Sequence, residues 1–139
     1  MSDMRLVNRV AVALGAYENC RKCDTESQWK DCWKDRLQDE LPNHLPSGSG
    51  FDRGTFFDIE ASEPKRLVFN TAFHHMNDGG YYDGWTEHSV IVTPCLVHGF
   101  TMRITGRDRN GIKEYIAQAM ESALNADISW NILPELPTK

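Results

Sequence analysis

Arg66–Thr93 reads RLVFNTAFHH, then MNDGGYYDG, then WTEHSVIVT, and these three blocks decide the fold. In the first block Leu67, Phe69, Thr71, Phe73 and His75 alternate with Val68, Asn70, Ala72 and His74. Successive side chains of a strand point to opposite faces, so this block predicts a strand over Arg66–His75 with one apolar face. The middle block, Met76–Gly84, holds Asn77, Asp78, Gly79, Gly80 and Asp83, residues that accept turn geometry or bond their own backbone. Trp85–Thr93 is then a second strand, returning antiparallel beside the first.

Outward from this hairpin, Thr55–Glu60 predicts an earlier strand with Phe57 and Ile59 on one face, and Pro64 marks a turn. Leu96–Thr105 predicts a later one. Pro94, which cannot donate to a ladder, belongs at the hairpin corner or an edge. Four strands in succession imply an antiparallel meander. Ile112, Ile116, Met120 and Leu124, joined by Tyr115, Ala119 and Ala123, form the buried stripe of a final helix that Asn110 is expected to cap and Asn125 to end. Ahead of the strands, Val7, Val10, Leu14 and Tyr17 predict a helix over Met4–Glu18. Thr25 and Gln28 have capping-box spacing, opening a helix over Glu26–Leu41 with Trp29, Trp33, Leu37 and Leu41 on its stripe, which Pro42 closes. Leu45–Gly50, LPSGSG, is a loop.

The expected fold class is therefore α+β: two N-terminal helices, a four-stranded antiparallel meander, and a C-terminal helix packed on one sheet face in a two-layer sandwich. Helices would cover one face and leave the other partly open, as antiparallel sheets tolerate. The 139 residues are expected to form a single domain, with a helical part over 1–44, a strand-rich core with the last helix over 45–125, and an extended tail over 126–139. No internal repeat interrupts this reading.

A chain of 139 residues is long enough for a core to be possible without disulfides or metal, and 40% apolar with 25% charged residues is ordinary globular composition that does not indicate disorder. No apolar run is long enough to span a membrane, and Arg5 and Arg9 interrupt the N-terminal stretch that would otherwise resemble a signal peptide. The expected compartment is the cytoplasm, with no membrane association. Its four cysteines are then expected to be reduced. The formal net charge of −5 argues against a general nucleic-acid binder, which needs many Lys and Arg contacts to phosphate, and favours a protein partner with a basic face or a small ligand.

Chemistry-bearing residues concentrate in Phe73–His88. His74 and His75, adjacent in a strand, face opposite ways, while His88 across the hairpin meets one of them. With Glu87 or Asp83 this makes a candidate metal site of imidazoles and a carboxylate, His74, His75 and His88 being the ligands, and metal-bound water would make it a hydrolase. The spacing matches no known ligand pattern. The alternative is a long hairpin whose histidines are hydrogen-bonded. Tyr81, Tyr82 and Trp85, large and amphipathic, also fit a recognition surface, with Asp78, Asp83 and Glu87 as acidic neighbours; otherwise these rings pack down on Trp29 or Trp33. No cofactor is implied.

Arg103, Arg107, Arg109, Asn110 and Lys113 form the one basic stretch, leading into a helix start that suits phosphate or a nucleotide. It lacks the P-loop pattern, and a capped turn with solvated arginines is the plainer reading. Cys20 and Cys23 form a lone CxxC; Cys32 and His44 match no familiar zinc spacing. Cys95 reads as packing, and no catalytic set emerges.

The runs LPSGSGFDRGTFFDIE, LVFNTAFHHMNDGGYYDGWTEHSVIVTP and ITGRDRNGIKEYI, within Leu45–Leu124, resemble a family of small uncharacterised proteins of bacteriophages and prophages. The resemblance brings no catalytic residues with it. It implies a context: an acidic accessory protein in the host bacterial cell that binds and inhibits a host protein or nucleoprotein complex, such as a CRISPR or restriction defence complex. A homodimer is a further expectation about partners. The alternatives are a nucleotide- or phosphate-sequestering protein and a metal-dependent hydrolase.

Overall fold

A computed structural model describes residues 5–19, 31, 37, 41, 45–48, 50–95 and 99–126, the side chains of 16–19, 52 and 53 excepted. The described elements are α1 (Leu6–Asn19), β1 (Phe51–Phe57), β2 (Leu67–Met76), β3 (Tyr82–Cys95), β4 (Gly99–Ile104) and α2 (Ile112–Leu124). The four strands form one sheet in the order β1-β2-β3-β4, each pair antiparallel. The chain is α+β, and its sheet is the expected meander.

Register explains which side is buried. Leu67 pairs with Val92, Phe69 with Val90, Thr71 with His88 and Phe73 with Thr86, so these eight residues share a face. Phe57 beside Phe69, and Met102 and Ile104 beside Val92 and Val90, extend it to both edges. Leu67, Phe69, Val90 and Val92 are buried, as are Leu6, Val7, Val10 and Leu14 of α1 and Ile112, Ile116, Met120 and Leu124 of α2, and all join one core. The α2 stripe is the one its spacing predicts; that of α1 is confirmed through Leu14, the side chain of Tyr17 lying outside the described residues. The backbone N–H of Leu6 donates to the Ala126 carbonyl (3.1 Å), tying the start of α1 to the end of α2.

Several boundaries differ from the expected ones. The first strand is Phe51–Phe57, four residues earlier in its start than the expected Thr55–Glu60, and 59–61 is a turn. Tyr82, Asp83 and Gly84 belong to β3, so the turn shrinks to 77–81. Near that turn His74 pairs with Trp85 and Met76 with Tyr82, so Asp83 and Gly84 together oppose His75. This is a β-bulge, and Gly84 at φ 88° supplies the left-handed backbone it needs. Pro94 pairs with Phe100 next to the β3–β4 connection, at the expected corner. Asn110 does not cap α2. Gly111 stands at the cap position with φ 76°, and Asp108 Oδ1 instead accepts the Lys113 N–H (3.1 Å). Asn125 closes α2.

The expected helix over Glu26–Leu41, with its Thr25–Gln28 cap, Trp29, Trp33 and Pro42, lies outside the described residues apart from Asp31, Leu37 and Leu41. Leu37 is helical, and it and Leu41 are buried in the core. The tail from 127 onward and residues 96–98 also lie outside them.

Phe69 is fully buried and its ring centroid lies 5.1 Å from that of Phe57. Phe69→Ala is expected to cost about 3–5 kcal/mol of stability, read from chemical denaturation. A loss below about 1 kcal/mol would contradict this placement of the core.

Candidate functional site

Opposite the helices, the sheet presents Val68, Asn70, Ala72 and His74 of β2 beside Ile91, Ser89, Glu87 and Trp85 of β3, with Phe56 and Arg103 on the flanking strands. The largest exposed apolar side chains gather toward the hairpin: Tyr81 is 74% exposed, Trp85 58%, Met76 57% and Tyr82 54%. The rings are exposed; Trp29 and Trp33, the alternative packing partners expected for them, lie outside the described residues. Asp78, Asp83 and Glu87 are exposed beside them.

The tip is held in shape by its own polar groups. Asn77 Oδ1 accepts the backbone N–H groups of Gly79 (2.9 Å) and Tyr81 (3.0 Å), and Asn77 N–H donates to the Tyr81 carbonyl (2.8 Å). Tyr82 Oη lies 2.8 Å from His74 Nδ1, with ring centroids 5.3 Å apart. His74 pairs across the strands with Trp85, so Tyr82, His74 and Trp85 are contiguous. Fixing aromatic rings before a partner arrives lowers the entropy lost on binding.

His75 and His88 lie on the helix side, 5% and 3% exposed, and come together through Thr86. Thr86 Oγ1 is 2.8 Å from His75 Nε2 and 2.7 Å from His88 Nε2, and His88 Nδ1 is 2.8 Å from the Thr105 carbonyl. A carbonyl only accepts, so His88 Nδ1 carries the proton. Its Nε2 then accepts from the Thr86 hydroxyl, and His75 Nε2–H donates to Thr86. A hydroxyl thus occupies the position that a metal shared by His75 and His88 would need, and His74 faces the other way. Among the described residues no group of three His, Cys, Asp or Glu side chains is placed to hold a metal ion. The candidate ligand set is corrected to a hydrogen-bonded relay. Thr86 is the residue that sequence reading missed; it pairs with Phe73, which makes it the diagonal neighbour of His75 on the same face.

The relay depends on a close approach by the loop after β4. A Cβ on Gly106, at φ 93°, would stand 2.7 Å from His88 Nδ1 and closer still to the Glu87 carbonyl, so only glycine fits. Further along, Arg109 donates to the Asp83 carbonyl (2.7 Å) and its guanidinium pairs with the Asp83 carboxylate. Asp83 and Arg109, placed by sequence in two different candidate sites, hold each other. Of the residues placed by sequence in the anion site, Arg109 is engaged, the Lys113 N–H at the helix start is taken by Asp108, Asn110 has φ 57° without capping, and Arg103 lies out on β4. Arg107 is exposed.

Cys20, Cys23, Cys32 and His44 lie outside the described residues; Cys95 is half-buried at the end of β3. Among the described residues no helix is long and apolar enough to cross a membrane. Comparisons with protein-family models, curated proteins and solved structures found no match.

Burial, and then the charge of Arg109, hold His75 below the ordinary imidazole value; His88 and His74 add to this and Asp83 opposes it. A free imidazole titrates near about 6.5. Below that pH the unfolded chain protonates first, so stability is full above it and declines as pH falls toward the lowered native value. His75→Gln keeps an N–H for Thr86 and removes the titration. The stability difference between pH 7.5 and 5.5 is expected to shrink in this variant, and an unchanged difference would contradict it.

Proposed function

We propose that this chain is a non-enzymatic binding protein of a phage or other mobile element, acting in the host bacterial cytoplasm by occluding a host protein or nucleoprotein complex. A CRISPR or restriction defence complex is the candidate target. The observation that carries the reading is the exposed pair Tyr82 and Trp85, contiguous through His74 on the side of the sheet away from the helices, with Tyr81 exposed at the tip of the same hairpin. Aromatic residues supply most of the energy at protein interfaces, and isolated chains seldom expose several together.

Charge selects the partner. Asp78 and Glu87 are exposed around the rings, and the chain carries a net −5. A basic surface of the kind that grips nucleic acid is the complementary match, and such complementarity speeds encounter as well as choosing the partner. In this reading 1–139 is one domain and a two-layer sandwich. The reading assigns no catalytic residues, and a second copy of the chain is a secondary partner.

Affinity capture from bacterial lysate, run in parallel with wild type, Tyr82→Ala and Trp85→Ala, tests it. Wild type is expected to recover a specific partner. Each variant should bind it about tenfold more weakly or worse, with unfolding midpoints unchanged because both side chains are exposed. Equal recovery by the variants, or no specific partner for wild type, would sink the proposal.

A further inference from the structure

A depression of about 400 Å³ lies on the same open face, lined by residues that include Phe56, Asn70, Ala72, Glu87, Ser89 and Thr105. Its origin is in the register. Phe56, Asn70 and Ser89 form one row across the sheet, and Ala72 and Glu87 form the next. Small side chains at Ala72 and Ser89 leave the floor low, while Phe56, 44% exposed, stands at the rim.

The hydrogen bonds beneath the floor set its polarity. Asp58 Oδ2 accepts from Asn70 Nδ2 (2.9 Å), which fixes that amide with its oxygen toward Ser89. Asn70 Oδ1 therefore accepts from Ser89 Oγ (2.8 Å), and the lone pairs of Ser89 are left free. The Thr105 hydroxyl donates to the Ser89 carbonyl (3.3 Å) and accepts the Ser89 N–H (3.0 Å). The carboxylate of Glu87 makes no hydrogen bond or ion pair with a described residue. Of the lining side chains, the second amide hydrogen of Asn70 is the only donor left uncommitted. Against it stand the two carboxylate oxygens of Glu87 and the Ser89 oxygen, the last polarised through Asn70 by the charge of Asp58. Among the described residues no Lys or Arg lines the depression; Arg103 stands one row away, beside Ile91.

We infer that this depression is a socket for an arginine side chain presented by the protein partner. The inference rests on the binding function proposed above and adds the chemistry of the contact. A guanidinium offers five N–H donors in a plane and a permanent positive charge, which matches a floor of acceptors with one carboxylate. Its flat face also stacks on an aromatic ring, the role of Phe56 at the rim. An anion would be repelled by the Glu87 carboxylate, and an apolar side chain would strip water from Glu87 without replacing it.

The test is an NMR titration of ¹⁵N-labelled full chain with N-acetyl-arginine amide, N-acetyl-lysine amide and the uncharged isostere N-acetyl-citrulline amide. The arginine probe is expected to shift the backbone amides of Ala72, Glu87 and Ser89. Glu87→Gln should weaken that response about tenfold, since it removes a charge-assisted pair, while Glu121→Gln, which removes an exposed carboxylate on α2, should leave it intact. No shift with arginine, an equal response to lysine or citrulline, or full retention in Glu87→Gln would overturn the socket. Loss of the partner in Trp85→Ala capture with no arginine response would remove the socket alone. An arginine response with no captured partner would remove the binding function and leave a cation site.

Discussion

The pairing of Phe69 with Val90 and of Leu67 with Val92 is the constraint on which everything else rests. Strand side chains alternate with period two, so this register commits every neighbouring residue to a side, and a slip by one would exchange the faces. Once the four apolar residues are buried beneath α1 and α2, Asn70, Ala72, His74, Trp85, Glu87 and Ser89 must face away from them. The open surface, its aromatic end and its acidic depression all follow from satisfying the core.

Polar groups then stiffen what the core leaves free. On the helix side His75, Thr86 and His88 form a relay that ends on the Thr105 carbonyl, at the start of the loop crossing to α2. The same loop reaches back through Arg109 to Asp83, so the hairpin end of β3 is held from two directions. His75 sits against Phe73, whose ring also meets Phe51 and Tyr115, which joins the relay to the aromatic edge of the core. Buried polar chains of this kind fix one arrangement, because leaving any member unpaired is expensive. The rings at the tip are thereby carried on a rigid base.

Much of this was legible in the residues themselves. The spacing of Ile112, Ile116, Met120 and Leu124, and the alternation through Leu67, Phe69 and Thr71, depend on local periodicity and needed no tertiary knowledge. The exposed positions of Tyr81, Tyr82 and Trp85 were legible as one of two readings, since turn residues surround them. What escaped depends on geometry between distant segments. Thr86 joins the two buried histidines because the pairing of Phe73 with Thr86 sets it diagonally across from His75. Arg109 finds Asp83 across 26 residues. The depression exists only because the registers on both sides of β2 put Phe56, Asn70 and Ser89 in one row. Asn110 was misjudged as a cap for a related reason: the loop hands that task to Asp108.

The proposed binding function needs a face that is not spent on the core, and the openness of that face is the premise of the account. Hydroxyl-radical footprinting of the free protein, read by mass spectrometry at single side chains, tests it directly. Met76, Tyr81, Tyr82 and Trp85 should be oxidised rapidly while Phe69 and Met120 stay protected. Protection of Tyr82 and Trp85 to the level of Phe69 would contradict it.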